Sequence, residues 1–159
     1  ASTHFDFSQR GLVGSLIATL IAIGLAGFGP MLIGISPPPG AATQSIVING
    51  VLFVAQAATA FIALRQMGRQ DGFIPYLVAT NWVTLASALL LLLSTVLGPA
   101  GLIILVLVVV LALATFINIG RFIVTLTGLQ IGILFVSQAV GVFLALAVIA
   151  VFIGPAPPV

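Results

Sequence analysis

The chain has 159 residues, of which 62% are hydrophobic and 4% charged, where a soluble domain carries roughly 25% charged residues. One domain of this length cannot hide so much apolar surface, so a water-soluble fold is excluded and lipid is the solvent. Four Arg against two Asp raise the pI to 10.7, but they do not make the dense basic face that nucleic acid requires, and no nucleic-acid partner is expected.

The sequence contains no Cys, which removes disulfides, thiolate metal sites and thiol nucleophiles. Its single His is His4, ahead of the first apolar run. No span therefore offers a pigment- or haem-ligating imidazole, and no cofactor or metal site is predicted.

The first apolar run is Gly11 to Ile35. It is longer than the 7–15 residues of a signal-peptide core, so a retained span is expected. Asp6 or Ser8 suits the cap position, and Phe5 and Phe7 suit the headgroup level. The run is rich in glycine, which lets helices approach closely in lipid, and Pro30 is expected to bend or end it. Ser36 to Ser45, with Pro37, Pro38 and Pro39, reads as a stiff uncharged turn.

The second run is Ile46 to Leu64, and Arg65 to Gly72 is a short polar loop. The third run, Pro75 to Leu97, starts with a proline that suits a first helical turn. Tyr76 and Trp82 are expected near the membrane interface, where amphipathic aromatics collect. Gly98 to Gly101 is a tight turn. The fourth run, Leu102 to Ile119, is rich in β-branched residues, but lipid tolerates no open sheet, so it is read as a helix. The fifth run is Leu129 to Ile153.

A continuous helix from Leu102 to Ile153 would be about 78 Å long, more than twice the roughly 30 Å hydrocarbon core. A break is required, at Gly120–Arg121 or at Thr127–Gly128. The prediction is a single all-α transmembrane domain over residues 1–159, a bundle of five spans. With that count Arg10, Arg65, Arg69, Arg121, Asp6, Asp71 and His4 all fall on one side. The positive-inside rule then places the N-terminus in the cytoplasm and the C-terminus outside.

The spans carry no charged side chain, so the usual marks of a proton relay or an ion pathway are missing. Uncharged polar residues do recur: Asn49, Gln56, Asn81, Thr84, Ser87, Asn118, Gln130, Ser137 and Gln138. Asn49, Gln56, Asn81, Asn118 and Gln138 are candidates for hydrogen bonds between helices, worth about 0.6 kcal/mol each and up to about 2. Gln56 and Gln138 lie near mid-depth and could face one another, or line a small polar cavity. Gly128, Gly132, Ser137 and Gly141 form a small-residue stripe suited to close packing, within the chain or with another subunit. Arg65, Arg69 and Trp82 are candidates for contact with lipid headgroups. Asp6 and Asp71 are expected in water, and no nucleophile–base pair can be assembled, so an enzyme is the weakest reading.

Phe73-Ile74-Pro75-Tyr76 followed by Ala79-Thr80-Asn81-Trp82 resembles the bacterial YIP1-like integral membrane proteins, as does Phe5-Asp6-Phe7-Ser8 followed by Gly11 and Ser15. The resemblance implies a five-span protein of the bacterial cytoplasmic (inner) membrane, with a cytoplasmic N-terminus and no catalytic residues. Eukaryotic relatives carry a long cytosolic N-terminal region, and this chain has only about ten residues before its first span, so their role in vesicle traffic is not carried over. Two functions remain in view. One is a non-catalytic accessory or scaffold subunit, with membrane lipids and other integral membrane subunits as partners. The other is a small transporter or channel for a neutral or lipidic solute.

Overall fold

A computed structural model describes residues 6–153; His4, Phe5 and the Gly-Pro-rich tail after Ile153 lie outside them. Among the described residues there are five long α-helices and no strand: α1 (Gln9–Leu32), α2 (Ala41–Gln66), α3 (Phe73–Val96), α4 (Gly101–Asn118) and α5 (Gly128–Ile153). Each, with its flanking turn, is long and apolar enough to cross a membrane. The protein is an all-α, five-span membrane protein.

Local chemistry sets most of the helix ends. Ser8 caps α1, its Oγ accepting from the Gly11 amide at 3.3 Å, and the Asp6 carboxylate accepts from the Ser8 amide at 2.9 Å. Pro30 does not stop α1, which runs on to Leu32. The helix ends at Gly34, whose φ of +82° lets the Ile35 amide turn back to Pro30 O at 2.9 Å. Gly68, at φ +69°, ends α2 in the same way, with the Gly68 amide on Arg65 O at 3.1 Å and the Arg69 amide on Leu64 O at 2.8 Å. Both are glycine-terminated caps that use up the last carbonyls of the helix.

Of the two expected breaks, Thr127–Gly128 adjoins the non-helical residues 124–127 that precede α5, and Gly120–Arg121 is not a break. The chain stays helical through Gly120 and Arg121, but as a π-helical turn over Ile119–Ile123, closed by the Val124 amide on Ile119 O at 3.0 Å. The true reversal is at Thr125, a β-branched residue at φ +58°. Thr127 and Gln130 then start α5 with a reciprocal capping box: the Thr127 amide donates to Gln130 Oε1 at 2.9 Å, and the Gln130 amide to Thr127 Oγ1 at 3.3 Å. Gln130 is thus a cap rather than an intramembrane polar group.

α1 lies along both α3 and α2, α2 pairs with α5, and α3 pairs with α4. The α1–α3 and α1–α2 contacts use small residues. Ser15, Ala18, Thr19 and Ala22 are buried on α1, and a Cβ on Gly27 would sit 2.9 Å from Ala42 O of α2. The main core lies at the end of the bundle where the charges are. It joins Ala60, Ala63 and Leu64 of α2, Tyr76 and Ala79 of α3, Ile119, Val124 and Leu126 of the α4–α5 connection, and Leu134 of α5. All four Arg and both Asp lie at that same end, in the α1 start, the last turn of α2, the α2–α3 loop and the π turn before α5.

Candidate functional site

α4 and α5 pack on α3 and α2 but not along each other. They meet through side chains near the charged end, where the rings of Phe116 and Phe135 stand edge to face at 5.8 Å. Tyr76 meets Phe116 in the same geometry at 6.3 Å. Beyond this aromatic floor the α2–α5 and α3–α4 pairs enclose a cavity of about 620 Å³. Its walls are Phe53, Gln56 and Ala57 of α2, Tyr76, Thr80, Asn81 and Thr84 of α3, Val109, Ala112, Leu113 and Phe116 of α4, and Phe135, Gln138, Ala139 and Val142 of α5. The core closes it toward the charged end. α4 and α5, which form its other walls, do not pack along one another.

Most of this lining is apolar, and the polar groups are few and uncharged. The combination of a concave apolar wall with a few convergent polar groups, at 300–1,000 Å³, is that of a small-molecule site. By helical rise Asn81 lies about 12 Å into α3, and Gln56 and Gln138 about 15 Å from the charged ends of α2 and α5. They form a belt near mid-depth. Three of the five amides singled out in the sequence therefore meet at one cavity.

Their bonding differs from a simple amide–amide pair. Gln138 Nε2 donates to the main-chain Gln56 O at 2.9 Å and to Thr59 Oγ1 at 3.2 Å. The Gln56 side chain makes no hydrogen bond within the described residues and is exposed at the cavity. Asn81 is 2% exposed. Its Nδ2 donates to Ser15 Oγ of α1 at 3.1 Å, and Ser15 Oγ in turn donates to Leu12 O at 2.8 Å. Thr80 and Thr84 donate back to carbonyls of α3 at 2.9 Å each.

Two of the amides do not join helices. Asn49 Nδ2 bonds within α2, to Ser45 O at 2.8 Å, because the i−4 carbonyl is the nearest acceptor on its own helix face; Ser45 Oγ is what reaches α1, donating to Ala26 O at 3.1 Å. Asn118 is exposed on α4 with no hydrogen-bond partner in the described residues, since α4 turns that face away from the bundle.

The small-residue stripe of α5 also divides. A Cβ on Gly141 would sit 2.4 Å from Thr59 Cγ2, so this glycine lets α5 press against α2. Gly128 and Gly132 have nothing within 4 Å of such a Cβ; they lie on the outward side of α5. Ser137 is half-buried beside α2 but donates within its own helix, to Ile133 O at 2.8 Å.

Arg69 is not free for lipid. Its guanidinium donates to Val124 O, to Thr125 O at 2.8 Å and to Thr125 Oγ1 at 2.8 Å, with Asp71 Oδ1 at 3.4 Å from Nε. It ties the α2–α3 loop to the α4–α5 turn. Arg65 stays exposed. Arg121 is exposed, 5.4 Å above the Phe122 ring. Trp82 faces outward, 43% exposed, about 13 Å into α3 by helical rise. Tyr76, expected at the interface, is instead 6% exposed, because a wide core covers the start of α3.

Sequence reasoning missed the roles of Ser15, Thr59 and Tyr76. Only the Thr127–Gln130 capping box had a readable signal, the T-x-x-Q spacing. Compared with known proteins, the chain matches no family model, no curated protein and no solved structure.

Proposed function

We propose that this multi-pass membrane protein is a non-catalytic carrier that takes up a neutral or lipidic solute from the bilayer. The reading rests on one observation above all: Gln56, Asn81 and Gln138 converge on a cavity of about 620 Å³ whose α4 and α5 walls do not pack along one another. Lateral access suits a solute already dissolved in lipid better than an ion or a sugar arriving from water. The aromatic floor and the core beneath it argue for a binding cavity over a continuous channel. The charge segregation and the YIP1-like resemblance support a bacterial cytoplasmic membrane, with the charged end in the cytoplasm.

Proteoliposomes loaded with a fluorescent neutral lipid test the carrier reading through transfer to acceptor vesicles. Wild type is expected to accelerate transfer, and Ala139→Trp, which fills the cavity from α5, is expected to return the rate to that of protein-free vesicles. Transfer by Ala139→Trp at the wild-type rate would overturn the proposal.

A second reading, an accessory or scaffold subunit of a larger assembly, is supported by the shortness of the connections. Only Met67 to Gly72 separates α2 from α3, and Val124 to Thr127 separates the π turn from α5. A protein with so little mass outside the bilayer meets other integral membrane subunits mainly within it. Crosslinking in native membranes before mild-detergent purification checks this, and reproducible recovery as a lone chain would refute it.

A further inference from the structure

Tyr76 is 6% exposed and lies in the main core, yet its hydroxyl makes no hydrogen bond within the described residues. No fully occluded side-chain oxygen or nitrogen in the described residues lacks a partner. The phenol oxygen therefore keeps a small accessible area, and Tyr76 is one of the residues that line the cavity. A buried phenol hydroxyl normally finds a partner, because an unmade bond in an apolar setting costs about 1–3 kcal/mol. Asn81 is in a similar position. Its Nδ2 is committed to Ser15, while its Oδ1 accepts no hydrogen bond within the described residues. Gln56 adds a side-chain amide that makes no hydrogen bond within the described residues.

We infer that the cavity holds an uncharged lipid bearing a carbonyl or hydroxyl oxygen, and that the Tyr76 hydroxyl donates to that oxygen. The inference rests on the carrier reading above and names the class of its solute and the residue that selects it. Three features fix the class. The walls carry no charged side chain, so a carboxylate or phosphate would be buried unpaired, which is prohibitive in lipid. The free groups are a phenol donor near the charged end and, about 10 Å deeper by helical rise, an amide that both donates and accepts, which suits an oxygen-bearing lipid more than a plain hydrocarbon. The rings of Phe116 and Phe135 meet beside Tyr76, so the head settles on aromatic surface near the charged end. The apolar remainder leaves through the gap between α4 and α5.

Acylglycerols and prenylated quinones share this chemistry. The test uses detergent-purified full-length protein and native mass spectrometry with four probes: dioctanoylglycerol, decylubiquinone, oleate and phosphatidylglycerol. At least one of the two neutral probes is expected to bind with one-to-one stoichiometry, and which one binds identifies the source. Oleate and phosphatidylglycerol are expected not to compete. Tyr76→Phe is expected to weaken binding about tenfold, the equivalent of one hydrogen bond. The same change should leave the thermal stability of the ligand-free protein unchanged or slightly higher, since the hydroxyl bonds nothing in the fold. A purely structural tyrosine would give the opposite pattern. Ala112→Trp, which fills the cavity from α4, is expected to abolish binding. Binding that survives Ala112→Trp, or no binding of any probe, would refute the carrier reading itself. Binding that is lost in Ala112→Trp but unchanged in Tyr76→Phe, or equal affinity for oleate, would refute only the assignment of Tyr76 and the solute class.

Discussion

Removing the Arg69 guanidinium should loosen the charged end of the bundle more than removing any other charge. Arg69 makes three hydrogen bonds to the α4–α5 turn, to Val124 O, Thr125 O and Thr125 Oγ1. A bond from a charged donor contributes about 1.5–3 kcal/mol when well buried. The Arg69 side chain is 27% exposed, so water replaces part of what is lost, and a net cost of about 2–4 kcal/mol is expected for Arg69→Ala. The turn it holds is itself unfavourable. Thr125 sits at φ +58°, a conformation that costs a residue with a Cβ about 1–2 kcal/mol. Without the clamp that cost favours opening.

Thr125→Gly should therefore be nearly neutral alone, since it relieves strain and gives up one hydroxyl contact. Combined with Arg69→Ala, it should recover about 1 kcal/mol of the loss. SDS titration of the protein in mixed micelles measures these differences, with Arg65→Ala as the control for charge; Arg65 is exposed and should change stability by under about 0.5 kcal/mol. Limited trypsin digestion gives an independent readout, because Arg121 lies in the π turn that the clamp anchors. Cleavage there should accelerate in Arg69→Ala and not in Arg65→Ala. Equal stability and equal cleavage of the two variants would refute the clamp.

Three further outcomes are expected. The Asn81–Ser15 bond joins α1 to α3, and a double-mutant cycle with Asn81→Ala and Ser15→Ala should give a coupling of about 0.6 kcal/mol and no more than about 2; zero coupling would mean the pair adds nothing beyond packing. Gly141→Leu should separate α5 from α2 and destabilise the fold by about 1–3 kcal/mol, whereas Gly132→Leu, with open space at its Cβ, should stay within about 0.5 kcal/mol; SDS titration distinguishes the two, and equal effects would contradict the assigned face. The Asp6 carboxyl is held below its ordinary value of 3.8 by hydrogen bonds from Ser8. The Asp6–Ser8 turn thus contributes its stability in full above that ordinary value and loses it as pH falls through the depressed one. The difference in thermal midpoint between wild type and Asp6→Asn should shrink on acidification below about pH 4, and a difference that grew instead would give the wrong sign.

The sequence by itself determined the solvent, the number of spans and the end of the bundle that carries charge. Each follows from a sum over many residues: apolar runs of about 20 against a hydrocarbon core of about 30 Å, and Arg collected between them. Such sums survive local error, which is why Gly120–Arg121 could be misread as a break without changing the count. Sequence also marked the polar residues that had to find partners, since every amide in lipid must be accounted for.

It did not say which partner each would take. Asn49 and Ser137 turned to carbonyls on their own helices, while Asn81 and Gln138 crossed to α1 and α2. That choice depends on which faces of apolar helices meet. In lipid no amphipathic stripe records it, because the outward face is as apolar as the inward one. The same loss of signal hid the split of the Gly128–Gly141 stripe and the burial of Tyr76. It also hid the cavity, which exists because α4 and α5 each pack on a different neighbour and not on one another. Tertiary structure alone made that arrangement, and with it turned a tyrosine that read as an interface anchor into a buried residue lining a cavity.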